Sequence, residues 1–214
     1  MGIYLQVNYT SQLPATVGGI AAQDVTGCWL HSANMVRSYF GDGPAIMPEL
    51  YTPGHGHVGT GSVGARRGMD AAMRQMLQVA IGPRNTFTGA IPPGLQLSEH
   101  DILASRAGLE PVPQCETGHN FTATELEHLL RNHGPIFFYW WKTVSANTYG
   151  HASVLIGVTD DNRRVWFHDP ENSPNKQMTV QQFNSKIRQR FRYGMMRRWN
   201  VRPAMVHPVR QPNC

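Results

Sequence analysis

The 214-residue sequence predicts an α+β fold, with helices first and an antiparallel sheet late in the chain. Helical periodicity and capping patterns dominate the first part, up to about Gly134. Three runs rich in branched and aromatic residues follow, at 135–143, 151–159 and 163–169. With 41% apolar and only 15% charged residues, the chain can bury a core.

We expect residues 1–214 to form a single domain, with its catalytic core at 20–190 and a basic C-terminal strand and extension at 191–214. No apolar run is long enough to span a membrane. The first residues, "MGIYLQVNYTSQLPAT", have neither the positive nor the apolar region of a classical signal peptide.

The first helix is predicted to begin just after Gly27 and to end at Gly41. Its apolar residues recur at helical spacing: Trp29, Ala33, Val36 and Phe40. Cys28 therefore falls in the first turn of this helix. A second helical run at 68–80 follows a loop rich in glycine and proline.

Three more helices are predicted from capping boxes, in which Ser or Thr precedes an acid or amide by three residues. The pairs are Ser98 with Asp101, Thr122 with Glu125, and Thr179 with Gln182. Glycines end the first two of these helices, at Gly108 and Gly134. Between the last two predicted strands, "DDNR" at 160–163 predicts the turn of a hairpin.

Cys28, His151 and Asp169 all lie at the ends of predicted elements. A thiol attacks only as the thiolate, which a helix N-terminus and a nearby imidazolium both favour. Hairpin pairing of the last strands would bring a carboxylate to the imidazole and fix its tautomer. Each residue also has an ordinary explanation: a core cysteine, a packed strand histidine and a turn aspartate.

The other two cysteines, Cys115 and Cys214, form no CxxC spacing with Cys28 or with each other. A reduced chain with one reactive thiol is the simplest interpretation.

Several stretches together resemble bacterial papain-like cysteine proteases, including plant-pathogen effector proteases and bacteriocin-processing double-glycine peptidases. These stretches are "TGCWLHSANMVRSYFG", "LLRNHGPIFFYWW", "GHASVLIGV" and "VWFHDP", in the order Cys, His, Asp. The resemblance runs from about Gln23 to Ile187. It implies a papain-like fold in which the helix that carries the nucleophile packs on the late sheet.

By this resemblance, Cys28 corresponds to the nucleophile, His151 to the general base and acid, and Asp169 to the orienting carboxylate. Gln23 corresponds to the glutamine that stabilises the oxyanion, although it stands five residues before Cys28 where relatives more often have six. The resemblance implies cleavage of peptide bonds through a thioester, without a cofactor.

It also implies a secreted bacterial effector or toxin that acts in a target cell on a protein or peptide, and that could meet a cognate immunity or inhibitor protein. Two alternatives stay open: a peptidoglycan amidase with the same Cys-His chemistry, and a catalytically inactive papain-like binding module.

The net charge of +5 is concentrated at the C-terminal end. Eight Lys or Arg and no acids lie between Lys186 and Cys214, whereas the preceding 185 residues carry 11 basic and 14 acidic groups. We expect a terminal strand with solvated arginines. Contact with an acidic partner, or nucleic-acid binding by Arg188 to Arg202, is the less favoured alternative.

Other motifs carry less weight. "GTGSVG" at 59–64 matches a dinucleotide-binding pattern but lacks a preceding strand. His31, His55 and His57 could be drawn with Cys28 as a zinc site, but no second Cys/His pair completes it. Trp140, Trp141 and Trp166 are expected to form sheet core and cleft wall.

Overall fold

The computed structural model describes residues 2–12, 27–42, 100–144, 147–171, 173–199 and 208–209. Within these ranges the helices are α1 Cys28–Tyr39, α2 His100–Ala107, α3 Pro113–Glu116, α4 Ala123–His133 and α5 Val180–Lys186. The strands are β1 Ile3–Leu5, β2 Leu109–Pro111, β3 Ile136–Val144, β4 Asn147–Val158, β5 Arg164–Asp169, β6 Ser173–Thr179, β7 Met195–Arg198 and β8 Pro208–Val209.

The described strands belong to one antiparallel sheet. Its main path runs β2-β7-β3-β4-β1-β8, and β5 joins it by pairing with β4 and carries β6 on its other side. Helices beside a large antiparallel sheet make the fold α+β, as predicted. No helix in the described ranges is both long and apolar enough to cross a membrane.

The hairpin of β4 and β5 has the turn that "DDNR" predicted. Val158 pairs with Val165 across it, and Asn162 adopts a left-handed φ of 57° in the turn. Asparagine tolerates that conformation better than most residues, because its short polar side chain can bond locally. The register of β4 against β5 follows from this turn, apart from a shift between Leu155 and Gly157.

Helix α1 packs on β4 and also contacts β3. Its apolar positions are buried as the periodicity predicted, with Trp29 at 1% and Ala33 and Val36 at 0% exposure. Burying each large apolar side chain contributes about 1.5–3 kcal/mol to folding. This packing ties the start of α1 to the centre of the sheet.

The helix boundaries agree with the sequence signals where the structure describes them. The capping boxes of Thr122 and Thr179 are both formed, and Gly108 and Gly134 follow helix ends with positive φ. Ser98 and the predicted helix at 68–80 lie outside the described residues. Five of the described elements were not predicted: β1, β2, β6, β8 and the short α3.

Two expectations for the tryptophans and the basic segment need correction. Trp140 and Trp166 are each 6% exposed and belong to the core, but Trp141 is 44% exposed because its side chain alternates to the other face of β3. Arg197 and Arg198 are not merely solvated: Arg197 donates to Glu110 at 2.8 Å and Arg198 to the Ala107 carbonyl at 3.1 Å. Strand β7 is thereby fixed to β2 and to the end of α2.

The cap of α4 gives a first prediction. Thr122 Oγ1 accepts from the Glu125 N–H at 3.2 Å, and Glu125 accepts from the Thr122 N–H at 2.7 Å. Thr122→Ala removes the first bond and should lower the free energy of unfolding by about 1 kcal/mol. Chemical denaturation monitored by circular dichroism measures this loss.

Thr124→Ala is the matched control, because it makes the same change at an exposed position inside α4. It should be neutral or slightly stabilising, since alanine is the better helix former. Equal losses in both variants would contradict the assigned cap.

Candidate active site

His151 and Asp169 meet at one edge of the β4–β5 hairpin. His151 Nε2 lies 2.7 Å from Asp169 Oδ1, with the two side chains 2% and 0% exposed. Asp169 Oδ1 also accepts the Glu171 N–H at 3.1 Å. The carboxylate therefore fixes which way the imidazole ring faces, and its own position is fixed by the backbone.

Cys28 is the first residue of α1, directly after the N-cap Gly27. It is partly exposed, and its thiol lies close enough to His151 to help raise the pKa of the imidazole. Because Nε2 of the ring is bound to Asp169, Nδ1 is the nitrogen left for the thiol. The free N–H groups of a helix start favour an anion at this point. The structure thus brings together Cys28, His151 and Asp169, the three residues singled out in the sequence.

The protonation of His151 reflects two opposed influences. Burial alone would lower the pKa of the imidazole, but the hydrogen bond to Asp169 and the interaction with Cys28 together outweigh it and raise the pKa of His151 to about 9. Burial would raise the pKa of Asp169, yet the His151 and Lys142 contacts hold it well below its ordinary value. At neutral pH the pair is therefore imidazolium and carboxylate.

Aromatic rings form the walls around His151. The Trp140 ring lies 5.8 Å from the imidazole, edge to face, and the Tyr149 ring 6.1 Å away. Trp140 is held in place by its indole N–H, which donates to Ser153 Oγ at 2.9 Å. These walls limit the access of water to the ring and strengthen its bond to Asp169.

A second set of polar residues, missed by the sequence analysis, surrounds Asp169. Lys142 on β3 is 4% exposed and donates to Asp169 Oδ2 at 2.8 Å and to Glu171 Oε2 at 2.6 Å. Tyr149 donates to the same Glu171 carboxylate at 2.7 Å. The only sequence signal was alternation, which assigns Lys142 to the same face of β3 as the buried Trp140.

One cluster in the described ranges has the spacing of metal ligands. His151, Asp169 and Glu171 offer atoms that all lie within 4.8 Å of one another. The Lys142 ammonium already bonds both carboxylates, so it supplies the positive charge that a cation would otherwise bring. We therefore assign this cluster to ion pairing.

Several other residues that the sequence suggested for a site lie outside the residues that the structure describes. Gln23, the glycine-rich 59–64, His55 and His57 fall outside the described residues, as does Cys214.

Two other candidates are described. Burial lowers the pKa of His31 to about 4, so its ring is neutral. Cys115 is fully buried, and burial raises the pKa of its thiol to about 11. Such a thiol is unreactive near neutral pH.

The raised pKa of His151 predicts how the stability of the chain depends on pH. The folded chain holds this proton up to about pH 9, whereas the ordinary pKa is 6.5. The stabilisation is therefore complete below about pH 6.5 and is lost as the pH rises through about 9. The difference in free energy of unfolding between the wild type and His151→Gln should shrink over this window. Urea denaturation at several pH values measures it, and a constant difference would contradict the assignment.

Comparison with known families agrees with this geometry. Residues 7–188 match the family model described as papain-like cysteine protease AvrRpt2. The match covers most of the chain and includes all three residues of the site. Members of this family hydrolyse peptide bonds, so the predicted activity class is confirmed. The chain therefore belongs to the AvrRpt2 family of papain-like cysteine proteases.

Proposed function

We propose that this protease cleaves peptide bonds through a triad of Cys28, His151 and Asp169. The observation that supports it most is the buried 2.7 Å bond between His151 Nε2 and Asp169, which leaves Nδ1 of the ring for Cys28. In this proposal α1 is the nucleophile helix, and its packing on β4 holds Cys28 against His151.

The reaction begins with the thiolate of Cys28, formed when its proton resides on His151 Nδ1. The sulfur attacks the substrate carbonyl carbon, and the C–N bond breaks as His151 gives its proton to the leaving amine. His151, now neutral, takes a proton from water, whose oxygen attacks the thioester. The C–S bond then breaks, which releases the carboxylic acid product and returns Cys28 as the thiolate beside the protonated His151. Asp169 keeps Nε2 as the donor throughout.

The oxyanion needs hydrogen-bond donors in both tetrahedral intermediates. We propose the backbone N–H of Cys28, at the start of α1, together with the amide of Gln23. A lost donor of this kind costs about 3–4 kcal/mol in the barrier. Gln23→Ala would therefore slow cleavage by about 10²–10³-fold.

We propose that the substrate is a protein in a target cell, reached by secretion of this chain as a bacterial effector. Membership of a family that includes a plant-pathogen effector protease supports this role. Cleavage of proteins would distinguish this effector protease from a peptidoglycan amidase, which would instead cleave purified cell wall.

The direct test is hydrolysis of a complex mixture of cellular proteins by the purified chain, with new N-termini identified by mass spectrometry. Cys28→Ala should reduce the rate of these cleavages by about 10³-fold or more, because it removes the attacking atom. Cys115→Ala makes the same change at a buried thiol outside the site and should retain activity.

Cleavage that survives Cys28→Ala would contradict the proposal. So would release of peptides from purified sacculi without any cleavage of proteins, since that result would identify an amidase. Absence of both activities in a folded wild-type chain would favour a papain-like binding module.

A further inference from the structure

The unusual feature of this site is a lysine buried between two carboxylates. Lys142 is 4% exposed, and its ammonium group bonds the Asp169 oxygen that does not bind His151. Its second acceptor, Glu171 Oε2, is only 2.6 Å away. Burying an ammonium group costs several kcal/mol unless it is fully paired, so this placement needs both acids.

Glu171 also lies near Nδ1 of His151, the ring nitrogen proposed to exchange a proton with the thiol. Its Oε2 atom lies 3.8 Å from His151 Nδ1, beyond a hydrogen bond but within strong Coulombic range. Tyr149 holds the carboxylate from its other side, donating at 2.9 Å and 2.7 Å to the two oxygens. Glu171 therefore faces the ring nitrogen that is not bound to Asp169, and its position is fixed by two donors, Lys142 and Tyr149.

We propose that Lys142 and Glu171 are positioning residues for the reaction: Lys142 holds the second oxygen of Asp169, and Glu171 places another carboxylate beside His151 Nδ1. This inference rests on the proposed function of Cys28 and His151. It adds two residues, from β3 and from the turn after β5, that would act through Asp169 and His151 and not on the substrate itself.

The two residues act on the imidazolium with opposite sign. Glu171 stabilises the charged ring, because opposite charges attract at this distance. Lys142 opposes ring protonation, since its positive charge partly neutralises Asp169. Within the part of the chain that the structure describes, the other charged or titratable groups around the ring are Cys28 from α1, Tyr149 from β4, Asp169 from β5 and Lys176 from β6. The Lys176 ammonium lies 3.6 Å from Asp169 Oδ2.

The test is the protonation midpoint of His151, read by NMR of the full chain labelled with ¹⁵N-histidine and assigned with His151→Gln. Glu171→Gln should lower this midpoint by about half a unit to one unit, because it removes an attracting charge. Lys142→Met should raise it by a similar amount. The alkaline limb of kcat/KM should move in the same two directions, since activity requires the imidazolium.

Matched controls separate these local effects from net charge. Glu116→Gln changes the charge equally on an exposed side chain of α3 and should leave the midpoint unchanged. Lys176→Met removes a lysine that is 35% exposed and farther from Asp169, so its effect should be smaller than that of Lys142→Met.

Lys142→Met leaves the buried Asp169 and the half-buried Glu171 without the ammonium that pairs with both, and could fail to fold. The double variant Lys142→Met with Glu171→Gln avoids this, and its midpoint should lie above that of Glu171→Gln alone. Unchanged midpoints in both the Glu171→Gln and the double variant, or shifts of the same sign for the two residues, would overturn the proposal. The NMR measurement needs no substrate, so it tests this inference even if the wild type is inactive. An inactive wild type would count against the peptidase function alone.

Discussion

The rest of the site depends on the buried hydrogen bond between His151 and Asp169. Both side chains are almost fully excluded from water, at 2% and 0% exposure. Burying an ion costs several kcal/mol, and removing one partner of a buried pair costs about 3–5 kcal/mol because the other charge is left uncompensated. The surrounding residues are arranged so that neither charge lacks a partner. A backbone N–H and the Lys142 ammonium both donate to the Asp169 carboxylate, and Glu171, held by Tyr149, is the second acceptor of that ammonium.

The fold provides this arrangement through one hairpin and one helix. The β4–β5 hairpin brings together two residues that are 18 positions apart in sequence. Strand β3 adds Lys142 from one side of β4, and α1 presents Cys28 at its positive end. A helix terminus and two paired strands are rigid, so the distances among the three proposed catalytic groups do not depend on a mobile loop.

Much of this organisation was predictable because it is encoded locally. The "DDNR" turn, the runs of branched and aromatic residues in β4 and β5 and the capping box at Thr122 each depend on a few neighbouring residues, and the structure contains all of them. Lys142 was not predictable, because a lysine after two tryptophans looks like the exposed end of a strand. Its burial depends on acids 27 and 29 residues away. The three-residue strands β1 and β2 were missed for a similar reason, since they are too short to show a period and exist only through pairing with distant partners.

The central claim, that Cys28 and His151 form a thiolate–imidazolium pair, is tested most directly by cysteine alkylation. The rate of reaction with iodoacetamide would be measured for Cys28 from about pH 5 to about pH 9 in the wild type and in His151→Ala, with mass spectrometry assigning the site. We predict that Cys28 reacts rapidly already near the acid end of this range, and that this reactivity disappears without His151. A Cys28 that reacts only in alkaline solution, equally in both proteins, would contradict the account.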